Sequence, residues 1–268
     1  MSEQATVVMA TKATRSRWRV KRWFYVSVGL FMILLSFAAF GPSIIDQSRR
    51  NAPPTVLVIA HGIVASAWFL LFLTQASFVA TRRVAAHRRL GVVGPVLAVM
   101  MIVLGFLTII EGGRRGYDLS GDLTRALVVP GSPPPSAALQ AAGALPPLSG
   151  FLNFGVLVAA GLLYRHRPDI HKRLMLFALL SLAGEPILHL IGYVVGHWPA
   201  LQGGLTVIGL AMVISLLCVS AVYDKVLEGR IHRVSLWIPI LIIAEQGVLV
   251  PVVGSSAVWR EFTAWLIG

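Results

Sequence analysis

Apolar residues fall into seven long runs, and polar residues collect in the links between them. The runs cover roughly 23–41, 55–80, 91–110, 148–164, 172–195, 204–223 and 234–254. A helix needs about 20 predominantly apolar residues to cross the hydrocarbon core. One such run alone would suit the buried helix of a soluble core. Seven in series, with polar links, predict an all-α membrane protein: a seven-transmembrane helix bundle. Residues 1–22 read as a basic cytoplasmic tail, its first part (1–14) expected to be disordered, and residues 23–268 as the transmembrane domain. The first run spans a full bilayer and lacks a small-residue cleavage site, so it reads as a span rather than a signal peptide.

Composition agrees with this pattern. Charged residues make up 13% of the chain and hydrophobic ones 56%, against about 25% charged in a soluble domain. The net charge of +12 raises the question of nucleic acid. The cations sit in short clusters between apolar runs, which argues for no nucleic-acid partner and for a lipid bilayer instead. With the N-terminus inside, 17 of the Lys and Arg residues fall in inner segments and 6 in outer ones, and all four lysines are inside. The positive-inside rule then predicts a cytoplasmic N-terminus and a periplasmic C-terminus. Trp23, Trp198, Trp237 and Trp259 fall near the predicted interfaces, where aromatic belts form. Inner links are short. One outer loop, 111–147, is long and holds a proline run that cannot continue a helix, so a cap over the outer face is one reading of it. Single Cys218 lies within an apolar run and supports no disulfide framework in the chain.

Ionisable residues inside a span are costly and face the bundle interior or a cavity. The spans hold four: His61, Glu185, His189 and Glu245, with Gln75, Asn153 and Gln246 as polar company. On a continuous helix, His171 and His189 are five turns apart on one face, about 27 Å along the axis, with Glu185 one turn from His189. Pro186 frees the carbonyl of Leu182 and is expected to kink span five. On span two, His61, Trp68 and Gln75 recur at steps of seven on nearly one face. His61 and His189 are expected at similar depth in the outer leaflet, and His87 and His171 together at the inner surface.

The inner pair shares a local signature. "HRRL" begins at His87 and "HKRL" at His171, each just after a basic link. The plain reading is that these cations sit among lipid headgroups and fix topology. It leaves open why histidine recurs at the same offset. Three uses of the histidines stay open. Two neutral imidazoles at equal depth suit the axial positions of a b-type haem, with His61 and His189 as one candidate pair and His87 and His171 as another. Gly62, Ala65 and Gly184 would make room for the outer ring. Arg88, Arg89, Lys172 and Arg173 would face the propionates of an inner haem. Alternatively His61, Glu185, His189 and Glu245 hold zinc or iron. The third use needs no cofactor: a hydrogen-bonded network in which a buried carboxyl stays neutral.

These uses give different functions. Haem or metal implies a redox role, with other membrane redox proteins as partners. No cofactor implies a structural or assembly protein. A proton-coupled transporter would need a continuous polar path, and inner-half polar groups are sparse in the sequence, with Gln75 the main one. The chain has no Walker A, G-x-S-x-G or H-E-x-x-H motif, no lysine in span seven for a retinal Schiff base, and one Cys, which excludes a CxxCH haem attachment.

The stretches "HGIVASAWFLLFLTQASFVATRRVAAHRRLGVVG" and "HRPDIHKRLMLFALLS" resemble an uncharacterised group of bacterial polytopic membrane proteins, which share an H…HR-x-LG hairpin and an H-[KR]-R-x-M helix start. The resemblance covers spans two to five. It implies a bacterial cytoplasmic (inner) membrane protein and marks His61, His87 and His171 as matching positions, without supplying an activity. The arrangement also looks loosely like the diheme cytochrome b561 proteins, which place histidine pairs at both faces; seven spans depart from the six usual there.

Overall fold

The computed structural model describes residues 3–46, 53–115, 137–198, 200 and 202–267. Among these residues eleven α-helices follow one another: α1 Glu3–Ile45, α2 Val56–Ala80, α3 Val84–Leu90, α4 Val93–Arg115, α5 Ala137–Leu163, α6 Pro168–Leu180, α7 Gly184–His197, α8 Gln202–Tyr223, α9 Arg233–Ala244, α10 Val250–Gly254 and α11 Ala257–Ile267. Two π-helical turns, Asp224–Glu228 and Glu245–Leu249, extend α8 and α9. Seven stretches are long and apolar enough to cross a membrane, and the chain is an all-α seven-helix membrane bundle.

The local sequence explains the helix boundaries. Thr55 caps α2 by accepting a hydrogen bond from the Val58 N–H, a favoured residue for the role. Pro168 opens α6 in its first turn with Asp169 beside it, which suits the missing N–H of proline and the positive end of the helix dipole. At the far end of α2, Arg82 takes the left-handed φ of 64° and turns the chain into α3. The Arg22 guanidinium donates to the freed Ala80 carbonyl at 2.7 Å, tying α1 to this turn.

Span five is the axis of the bundle and the most buried of the seven. It touches spans one, four, six and seven. Leu176, Phe177, Ala178, Leu179 and Leu180 are all buried. The span is two helices, α6 and α7, joined by a tightened turn in which Leu182 and Ala183 donate to carbonyls three residues back. Pro186 sits in the first turn of α7, where its missing N–H leaves no gap. The expected kink is thus a break over Ser181–Ala183, just ahead of the proline.

Three expectations change. Residues 3–22 are helical and continuous with span one, where the tail was expected to be disordered up to residue 14. The helix of span four starts eleven residues before position 148, at Ala137, and carries Pro146 and Pro147 within it. A further helix, α11, follows span seven; Arg114 of α4 donates to the Leu266 and Ile267 carbonyls and pins its end. The expected cap of 111–147 lies mostly on residues outside those described.

Candidate functional site

The three links 81–92, 164–167 and 229–232 lie at one end of the bundle, here the basic end. There α3 presents His87 and the first turn of α6 presents His171. Their rings stand nearly perpendicular, 6.3 Å between centroids and 81° between planes. His171 Nδ1 lies 2.7 Å from the Gly161 carbonyl oxygen. A carbonyl only accepts, so Nδ1 carries a proton, and in the neutral ring the lone pair is on Nε2. Burial, and then the nearby His171, hold His87 below the ordinary histidine pKa, against an opposing backbone hydrogen bond with Gln75. A neutral imidazole is the form that can act as a ligand. The sequence placed these two histidines together, and they meet.

The other candidate pair has different neighbours. His61 packs edge to face on Phe151 of α5, with centroids 5.7 Å apart. His189 is buried and packs on Phe40 of α1 at 4.7 Å. Glu185 lies half-buried in the first turn of α7, and Gly62 and Gly184, expected to make room for a ring, are exposed with nothing near a Cβ position.

A set of charged groups at the basic end was missed in the sequence. Arg173 and Asp224 are fully buried. Arg173 Nη2 donates to Asp224 Oδ1 and, at 2.9 Å, to Glu228 Oε2; Nε reaches Asp224 Oδ2 at 3.1 Å and Ser235 Oγ at 3.2 Å; Nη1 donates to the Asp169 carbonyl at 2.7 Å. Ser220 and Ser235 share a hydrogen bond of 2.8 Å, and the His232 N–H donates to Asp224 Oδ2. Lys172 pairs with Glu228 at 3.5 Å and Asp169 at 3.7 Å. The expectation that this half of the bundle is poor in polar groups therefore fails. Arg173, expected at a propionate, has all three nitrogens committed to protein oxygens. Arg88 and Arg89 remain exposed on α3, next to His87.

Midway through the bundle, α5 meets span seven. Asn153 Nδ2 donates to Glu245 Oε2 at 2.5 Å, and Gln246 Nε2 to Ser149 Oγ at 2.6 Å. Both carboxylates that begin π turns, Asp224 and Glu245, are held by the helix opposite. Among the described residues no three His, Cys, Asp or Glu side chains converge as a metal site would require. The alternative set His61, Glu185, His189 and Glu245 is thus not gathered: Glu245 is drawn to Asn153, and the two histidines rest on rings from different helices.

Hydrogen bonding divides the bundle. The buried polar side chains just described on spans four to seven have partners. Among the described residues six buried polar atoms lack one: Tyr25 Oη, Ser36 Oγ, His61 Nδ1, Trp68 Nε1, Gln75 Oε1 and His87 Nδ1. All six are on α1, α2 or α3.

Comparison with protein-family models, curated proteins and solved structures finds no match to this chain.

Proposed function

We propose that this multi-pass membrane protein binds a b-type haem between His87 and His171 and serves in membrane electron transfer. The observation that supports it is the spacing of those two rings. His87 and His171 would hold the group through neutral imidazole nitrogens, which suit haem iron. The pair here stands at 6.3 Å. The Gly161 carbonyl holds His171 in the tautomer that offers Nε2, as ligating histidines are commonly held. Of the two candidate pairs, the reading takes the inner one, because His61 and His189 rest on rings from different helices.

A haem supplies one-electron chemistry when bound. The chain's part is to keep His87 neutral by burial, to fix the His171 ring, and to offer Arg88 and Arg89 to anionic groups at the surface. The Arg173 network keeps α6 in register with spans six and seven, so that His171, one turn from its start, is firmly placed. We also propose a cytoplasmic basic end in a bacterial inner membrane, with the N-terminus inside and the C-terminus outside, on the 17-to-6 charge distribution.

Protein purified from haem-replete cells should show an α band in its dithionite-reduced minus oxidised spectrum. His87→Ala and His171→Ala should each lose it, while His166→Ala in the exposed link should keep it. A colourless wild-type preparation would sink the reading.

A further inference from the structure

We infer that the face of α2 carrying His61, Trp68 and Gln75, continued by His87, lines a water-filled proton path through the bundle. A buried polar atom without a partner costs about 1–3 kcal/mol, so native proteins hold few of them, and an undetected water is a common resolution. Here four of the six orphaned atoms follow one line. His61, Trp68 and Gln75 recur every seven residues on the unbroken helix α2, which keeps them within about 20° of one face. The line runs from His61, more than a turn inside the end of α2 opposite the basic end, to the basic surface. Gln75 lies beside the α3–α4 junction, since a Cβ at Gly91 would stand 3.6 Å from its Nε2. His87 is on the short helix just before that glycine, with its ring beside the Gln75 backbone.

The chemistry of the four atoms selects water. Trp68 is 2% exposed, and its indole N–H can only donate. Gln75 Oε1 can only accept. Each imidazole can do both as it changes tautomer. Consecutive residues on the stripe rise about 10.5 Å apart, too far for direct contact. Roughly three waters at hydrogen-bond spacing fill such a gap. The walls are apolar: Phe151 lies against His61, and Phe154 meets Trp68 edge on at 4.7 Å. Waters held at intervals between apolar walls transfer protons by successive hydrogen-bond exchange. The inference stands on the orphaned atoms of α2, His61, Trp68 and Gln75, none of which is a ligand in the haem proposal.

The test uses the full chain in liposomes carrying an internal pH-sensitive dye, with a potassium diffusion potential set by valinomycin. Wild-type protein should acidify the lumen at least tenfold faster than empty liposomes. Trp68→Phe and Gln75→Met delete a polar atom at nearly constant volume, and each should slow the flux at least fivefold. His166→Ala should leave it unchanged. Visible spectra of the same samples separate the two proposals, because Trp68→Phe should leave any haem signal intact. Wild-type flux no faster than empty liposomes overturns the inference. So do Trp68→Phe and Gln75→Met proteins that conduct like wild type, which would mean that the atoms are dry.

Discussion

Asp224→Ala should destabilise the protein by about 3–5 kcal/mol, the cost of leaving one member of a buried ion pair without its partner. Arg173 is 0% exposed, and so is Asp224. Asp224 receives both Nε and Nη2 of Arg173 and the His232 N–H besides. Glu228 takes a further bond from Nη2, but its side chain is 28% exposed, and it cannot replace two buried contacts. The loss should therefore be large for so small a change. Arg173→Met combined with Asp224→Leu removes both charges and should recover most of the stability, because apolar pairs of similar volume commonly match buried ion pairs. Unfolding in a mixed-micelle denaturant titration gives both values. A single variant within 1 kcal/mol of wild type, or a double variant no better than the single, would show that the pair is not closed off as described.

The second large effect is expected at Gly105 on α4. A Cβ built there would stand 2.5 Å from the Phe151 ring, inside any tolerable contact. Phe151 is 7% exposed and also packs on His61, so the ring has little room to move. Gly105→Ala should cost about 1–3 kcal/mol, the usual penalty of overpacking a filled core. Adding Phe151→Leu should relieve most of the loss, and a double-variant cycle measures that coupling. Additive effects would mean that the two residues do not touch.

Spans were legible because lipid imposes one strong rule: about twenty apolar residues, backbone satisfied within the helix. The His87–His171 pair was legible for a related reason. Both stand beside links at the same surface, and depth follows from position along a span. Lateral neighbours do not follow from depth. Arg173 stands in "HKR", a cluster that looks like a headgroup anchor, and Asp224 is followed by Lys225 as a link residue would be. Only the packing of α6 against α8 and α9 shows that both turn inward. Asn153, Glu245 and Gln246 were recognised as costly, yet their pairing depends on which helices adjoin, and the sequence does not rank neighbours. The Ser181–Ala183 break was half visible, since Pro186 announced a disturbance without fixing whether the helix would bend or stop.

The π turns bear on how a helical wheel can be used on this protein. An i→i+5 turn takes in one residue more than an α turn, so everything beyond it is rotated by about 100° from the extrapolated direction. In span seven that slip falls at Glu245–Leu249. A wheel drawn from Arg233 assigns faces correctly as far as Ala244 and wrongly from Val250 onward. Span five has its own discontinuity at Ser181, so the shared face expected for His171 and His189 does not carry across it. Span two has neither fault. Angular arithmetic holds along its full length, and residues seven apart there stay in phase from one surface of the membrane to the other.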